Sequence, residues 1–102
     1  EIVMRDYNTF SGLMLERYFH HVAVESGEFT RIGRWWDRKG ENEIDMIGGD
    51  ELSNCATFYE MKRQAEEISI GMLKQKGQVF LQATHEFKKY AISYKGLSME
   101  DM

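Results

Sequence analysis

The order in which helical and strand-like patterns follow one another is the strongest constraint on the fold of this chain. From Tyr7 to about Ala23, apolar residues recur every three or four positions, which predicts an amphipathic helix. Three strand-like segments then follow with no helix between them, over residues 29–36, 43–47 and 55–62. Glu66 and Glu67 mark the start of a second predicted helix, whose apolar face carries Ile68, Met72, Val79, Phe80 and Ala83.

A last short strand is predicted over residues 90–94, which gives the element order αβββαβ. Strands that follow one another directly pair as a meander, whereas a strand reached through a helix can join the sheet in parallel. We therefore expect one α/β domain over residues 1–102, with a four-stranded mixed sheet flanked by helices.

Composition narrows the class of protein. The 102 residues, of which 42% are hydrophobic and 29% charged, suffice for one small core. A lone cysteine, Cys55, excludes an internal disulfide and predicts a buried apolar role in a cytoplasmic protein. No apolar stretch approaches the length of a membrane span, so no membrane partner is expected.

The net charge of −4 argues against binding nucleic acid by overall charge, but it allows a local basic rim. The residues of this rim would be Arg31, Arg34, Arg38, Lys39, Lys62 and Arg63.

Three charged residues on the second and third predicted strands are expected to converge. Glu60 and Lys62 are two positions apart, so their side chains share one face of the third strand. Alternation on the second strand puts Ile44 and Met46 on one face and Asp45 on the other, where it can lie beside Glu60. Adjacent carboxylates repel one another unless a cation lies between them, and Mg²⁺ prefers oxygen ligands. The spacing therefore predicts a divalent metal site with a lysine at its edge.

This arrangement resembles the PD-(D/E)XK nuclease superfamily, in which an acid on a hairpin, here Asp45, precedes a strand carrying Glu60-Met61-Lys62. The resemblance implies a restriction-endonuclease-like core that hydrolyses phosphodiester bonds of DNA or RNA with Mg²⁺ or Mn²⁺. Asp45 and Glu60 would hold the metal, with the main-chain carbonyl of Met61 as a further ligand, and Lys62 would orient the attacking water. The superfamily often adds an acid on its first helix, where Glu16 lies in this chain. Glu16 is therefore expected as an auxiliary metal ligand.

A closer resemblance is to the nuclease-like domain that follows the P-loop ATPase module in archaeal-type ATPases. The shared segments are Gly12, Leu15-Glu16, Ile32-Gly33-Arg34-Trp35-Trp36-Asp37, Glu43-Ile44-Asp45, Glu60-Met61-Lys62 and Ser93-Tyr94-Lys95-Gly96-Leu97. The resemblance implies that the chain is the C-terminal part of a longer, ATPase-linked protein. No Gly-x-x-x-x-Gly-Lys-Ser/Thr loop occurs in it, so this part is not expected to bind ATP.

Other functions stay open on the sequence. The domain could be a catalytically inactive interaction or regulatory domain that couples an ATPase to a partner or to nucleic acid. It could also be a dimerisation module that uses an exposed edge strand or the Trp35-Trp36 region, and the sequence does not fix the oligomeric state. The two tryptophans are expected to point to opposite faces, one toward the core and one toward a partner or ligand surface.

Two further groups near the site have an ordinary and a functional interpretation. His20 lies one helical turn from Glu16 and is expected at most to support it through a hydrogen bond. Arg34, Arg38 and Lys39 around the first hairpin could contact phosphates or form a common exposed turn.

Overall fold

A computed structural model describes residues 12–102, and its elements follow the expected αβββαβ order. They are α1 (Gly12–Ser26), β1 (Arg31–Trp36), β2 (Glu43–Asp50), β3 (Cys55–Met61), α2 (Ile70–Ala83) and β4 (Ala91–Leu97), with short 3₁₀ helices at Ala65–Glu67 and Met99–Asp101. The beginning of the first predicted helix, residues 7–11, lies outside the described residues. Within the described part of the chain, no helix is long and apolar enough to cross a membrane.

The strands form one mixed sheet in the order β1-β2-β3-β4. The β1–β2 and β2–β3 pairs are antiparallel, and β4 lies parallel to β3 because α2 returns the chain to the same end of the sheet. The predicted α/β class and four-stranded mixed sheet are confirmed. The strands β2 and β4 run past their predicted ends, so the sheet is more extensive than the sequence pattern indicated.

Each face of the sheet has its own apolar core, one under α1 and one under α2. The α1 core contains Leu15, Phe19, Ala23, Met46, Met61 and Leu97. The α2 core contains Ile44, Ile47, Ala56, Phe58, Leu73, Phe80 and Phe87. Because neighbouring residues of β3 alternate between these cores, the central strand joins both layers.

The buried face of α2 differs from the predicted one. The helix buries Leu73, Gly77 and Phe80, whereas Met72 is exposed. A Cβ atom at Gly77 would lie 2.7 Å from the ring of Tyr94, so the helix approaches the sheet most closely at a glycine. A hydrophobic pattern cannot register this contact, because the packing depends on the absence of a side chain.

The predicted start of α2 is also too early. Glu66 and Glu67 belong to the separate 3₁₀ helix, and α2 begins after Ser69. The Ser69 hydroxyl accepts a hydrogen bond from the Met72 N–H at 3.3 Å, which satisfies one of the free donors at the helix start.

Two predictions about single residues have opposite outcomes. Cys55 is exposed at the first position of β3, so its predicted burial is wrong. The expected difference between the tryptophans is confirmed. Trp35 packs on Phe80 with 5.2 Å between ring centroids, whereas Trp36 is 59% exposed.

Candidate functional site

A β-bulge lies next to Asp45 and decides which way this carboxylate points. In the β1–β2 ladder, Gly33 pairs with Ile47 and Trp35 pairs with Ile44, so β2 spans one more residue than β1 between these pairs. An extra residue interrupts the twofold alternation and bends the strand. The simple alternation assumed for β2 therefore fails at this point.

The bulge places Asp45 on the α1 face of the sheet. Ile44 packs in the α2 core and Met46 in the α1 core, so the prediction that these two share a face is wrong. Asp45 faces α1 as Met46 does, and its carboxylate lies close to that of Glu16 on the helix. The expected approach of Glu16 and Asp45 is thus present in the structure.

Three carboxylates gather at this point. One oxygen from each of Glu16, Glu43 and Asp45 lies within 4.8 Å of the others. The Arg34 guanidinium is 3.2 Å from Glu43 and 3.6 Å from Glu16, so it supplies the nearest positive charge. Two of these acids, Glu16 and Asp45, face a cavity of about 210 Å³ whose other lining residues are Leu13, Arg17, His20 and Arg34.

Burial makes the ionised form of two of these acids costly. It raises the pKa of Asp45, and the Met61 N–H, which donates to its carboxylate at 2.8 Å, opposes this rise. Burial also raises the pKa of Glu16, and the Asp45 charge raises it further. The Lys62 ammonium lowers both pKa values, so its charge reaches the same site. Burial therefore outweighs the nearby positive charges, since the pKa values of both acids stay above their ordinary values.

Glu60 makes its own contacts with α2. Its side chain is buried, one oxygen accepts a hydrogen bond from the Ser69 N–H at 3.0 Å, and the other lies 3.5 Å from the Lys76 ammonium. The Glu60 charge still contributes to the raised pKa of Asp45. The structure thus brings Glu16 and Asp45 together, with Lys62 and Glu60 as electrostatic neighbours, and Glu60 is bonded to the other layer.

Glu43 and Lys76 also shape this site but were not predicted as site residues from the sequence, and Arg34 was predicted only as a possible phosphate contact. Glu43 was available as a signal, because it lies two positions before Asp45 on one strand. Neither Arg34 nor Lys76 carried a sequence signal for an ion pair with these acids. Their contacts with the acids depend on strand register and on the position of α2, which a local pattern does not give.

The raised pKa of Asp45 predicts a pH-dependent gain in stability for Asp45→Asn. A raised folded-state pKa means that this group stabilises the fold below its ordinary value of 3.8, and that this contribution is lost as the pH rises through the folded-state pKa. Asparagine keeps an acceptor for the Met61 N–H without the charge. In EDTA, the melting temperature of Asp45→Asn minus that of the wild type should therefore increase from about pH 4 upward. A difference that stays constant or shrinks over this range would contradict the assignment.

The contacts of Glu60 predict a loss of stability when its carboxylate is removed. Glu60→Ala leaves the Ser69 N–H and the Lys76 ammonium without their partner, which should reduce the free energy of unfolding by about 2 to 3 kcal/mol. Glu66→Ala is the matched control, because Glu66 is exposed on the neighbouring 3₁₀ helix and its loss should cost less than about 0.5 kcal/mol. Urea unfolding followed by circular dichroism measures both. Equal midpoints for the two variants would show that Glu60 does not hold the start of α2.

Comparison with known proteins identifies a family for the chain but assigns no activity to it. The family DUF234, described as archaeal and bacterial proteins of unknown function, matches residues 1–72. An uncharacterized protein of Methanocaldococcus jannaschii is 35% identical over 69 residues, which cover 61% of this chain. The chain spans only 15% of the length of that relative. No solved structure matches the chain.

Proposed function

The chain belongs to the DUF234 family, and on that premise we propose that it is a metal-dependent, nuclease-like domain that hydrolyses phosphodiester bonds of DNA or RNA. The observation that carries the proposal is the convergence of Glu16, Asp45 and the strand segment around Met61. The Asp45 carboxylate accepts the Met61 N–H at 2.8 Å, which joins it directly to the Glu60-Met61-Lys62 segment of β3.

The donor set suits a hard divalent cation. All three close groups are carboxylates, and oxygen ligands of this kind favour Mg²⁺ or Mn²⁺ over softer metals. Their crowding in a half-buried place costs free energy, as the raised pKa values of Asp45 and Glu16 indicate. A cation held by these carboxylates would relieve that cost. We propose Asp45 and Glu16 as ligands, with Glu43 beside them.

Glu60 stays in the proposal as a further ligand, although its carboxylate lies on the α2 side of the sheet and would have to leave the Ser69 N–H and Lys76 to join Asp45. The Lys76 ammonium is 3.5 Å from this carboxylate, so it is the counter-ion that a metal would replace. Lys76 and Arg34 then act as the built-in counter-ions of the acids on either side of the site. A divalent cation held by these acids would take over the charge balance that Lys76 and Arg34 supply in this structure.

The remaining side chains supply the chemistry around the phosphate. A divalent cation would contribute Lewis-acid stabilisation of the charge that develops on the phosphodiester oxygens. Lys62 follows β3, and its main-chain N–H is fixed by the Leu97 carbonyl at 3.1 Å. Its exposed ammonium would orient the attacking water and offset the charge on the reacting phosphate.

Cleavage assays test this function. The purified 102-residue chain is incubated with Mg²⁺ or Mn²⁺ and with labelled single- and double-stranded DNA and RNA. The proposal expects cleavage of at least one substrate above the level of Asp45→Ala, and loss of that cleavage in EDTA. Equal traces of cleavage by both proteins on every substrate would overturn it.

We further propose that the domain acts beside an ATPase module in the same full-length protein and in the cytoplasm. The length of the Methanocaldococcus jannaschii relative leaves room for such a module outside the matched segment. Sequencing the gene in its genomic context and testing the whole product for ATP hydrolysis would decide this point.

A further inference from the structure

We propose that the β1–β2 hairpin is a binding platform for single-stranded nucleic acid, with a base stacked on Trp36 and phosphates held by Arg38 and Lys39. The inference rests on the proposed nuclease function, because it names the form of substrate that is led to the carboxylate site. Three observations support this inference. Trp36 is exposed, the turn that follows it has a fixed shape, and Arg34 contacts both Trp36 and the acids Glu16 and Glu43.

Trp36 is placed as a stacking surface. It is the last residue of an edge strand and is 59% exposed, whereas its neighbour Trp35 packs on Phe80. The Arg34 guanidinium lies 5.5 Å from the centroid of the Trp36 ring and also contacts Glu43. This contact holds the indole beside the acidic cluster. A base stacked on Trp36 would therefore be separated from the proposed cleavage site only by the Arg34 guanidinium.

Hydrogen bonds fix the turn that follows Trp36. The Asp37 carboxylate accepts the Glu41 N–H at 2.9 Å and the Asn42 side-chain amide at 2.9 Å. The Asp37 N–H donates to the Asn42 carbonyl at 3.0 Å, and Gly40 supplies the left-handed conformation, with φ of 70°. Both oxygens of the Asp37 carboxylate are thus hydrogen-bonded within the turn.

The two basic residues of the turn are free to meet phosphates. Arg38 and Lys39 are exposed, and neither forms an ion pair among residues 12–102. Of the acids around them, Glu43 is paired with Arg34 and Asp37 is bonded within the turn, which leaves Glu41 as the remaining carboxylate. The tip of the hairpin therefore offers two cations beside one flat aromatic face.

This combination favours a single strand over a duplex. In a duplex the faces of the bases are covered by their neighbours, so a protruding tryptophan can stack only on a base that is already unstacked. A single strand presents a phosphate and a free base at each step. Arg38 and Lys39 would contact its backbone while Trp36 takes one base.

Binding measured in EDTA tests the platform separately from cleavage. Tryptophan fluorescence and the anisotropy of a short labelled oligothymidylate are followed at low salt, with a fully paired, blunt-ended DNA duplex as the comparison. We expect binding of the single strand, a loss of affinity of about tenfold or more for Trp36→Ala, and partial recovery in Trp36→Phe. For the Arg38→Ala/Lys39→Ala variant, the dependence of log affinity on log salt should become shallower by about 1.4.

Matched variants control for nonspecific effects. Leu52→Ala removes another exposed apolar residue, which is 89% exposed on the β2–β3 turn, and Lys88→Ala/Lys89→Ala removes another adjacent pair of exposed cations. Both should bind the single strand as the wild type does. The platform is refuted if Trp36→Ala binds as tightly as Leu52→Ala, or if the duplex binds as tightly as the single strand.

The two proposals fail in different ways. Single-strand binding that depends on Trp36, without metal-dependent cleavage by the wild type, would support the platform and remove the nuclease function. Cleavage by the wild type with binding that is insensitive to Trp36, Arg38 and Lys39 would remove the platform and leave the nuclease function.

Discussion

Asp45→Asn should reduce metal-dependent cleavage by about a thousandfold or more, which corresponds to about 4 kcal/mol of transition-state stabilisation. The variant loses the one acid that both lies in the carboxylate cluster and is bonded to the Met61 N–H. Asparagine has nearly the same shape and can still accept that hydrogen bond. The loss should therefore arise from weakened cation binding and not from misfolding.

Asp50→Asn is the matched control for this variant. Asp50 is the last residue of β2, and its carboxylate accepts hydrogen bonds from the Leu52 N–H and the Ser53 hydroxyl in the next turn. The same chemical change at the other end of the same strand should leave the cleavage rate within about twofold of the wild type. Retained cleavage in Asp45→Asn, or an equal loss in both variants, would contradict the assigned role of Asp45.

Phe58→Ala should lower the free energy of unfolding by about 3 to 5 kcal/mol, the largest stability effect expected in this chain. Phe58 is fully buried at the centre of β3, with ring centroids 5.5 Å from Phe80, 6.3 Å from Phe87 and 5.7 Å from Tyr94. The glycine of α2 that packs most closely, Gly77, would place a Cβ atom 2.9 Å from the Phe58 ring. The ring therefore fills the space on which α2 rests.

Urea unfolding measures this effect, with a milder variant in case the alanine protein does not fold. Phe58→Leu should lose about 1 to 2 kcal/mol, since leucine fills part of the volume. Val79→Ala, at a 39% exposed position of α2, is the control and should lose less than about 1 kcal/mol. If Phe58→Ala unfolded at the same urea concentration as Val79→Ala, the aromatic cluster would not be what holds α2 to the sheet.

The sequence was sufficient for the order of elements and for the mixed sheet, because strand and helix periods are local properties. It was less informative about which face of a helix is buried. In α1 the buried positions are Leu15, Phe19 and Ala23, whereas the apolar residues Leu13 and Val22 of the same helix are exposed. Small residues can also lie at buried positions, as Ala23 does, or at close contacts, as Gly77 does, and a pattern weighted by hydrophobicity does not detect them.

The candidate site shows the same limit at the level of single side chains. Alternation predicted that Asp45 lies beside Glu60, but the bulge in β2 turns Asp45 toward α1 while Glu60 bonds to the start of α2. A bulge adds one residue to one strand of a pair, so it depends on the partner strand and cannot be seen in either strand alone. Glu16 was expected from the family resemblance, and the structure places its carboxylate with that of Asp45.

Binding of Mn²⁺ is the most direct test of the central claim that these acids form a divalent cation site. The free Mn²⁺ signal in electron paramagnetic resonance is followed while the ion is titrated into the 102-residue chain and into Glu16→Gln, Asp45→Asn and Glu66→Gln. We expect saturable binding of Mn²⁺ to the wild type and to Glu66→Gln, weaker binding to Glu16→Gln and none above background to Asp45→Asn. Equal binding by the wild type and Asp45→Asn, or no saturable binding by the wild type, would contradict the claim.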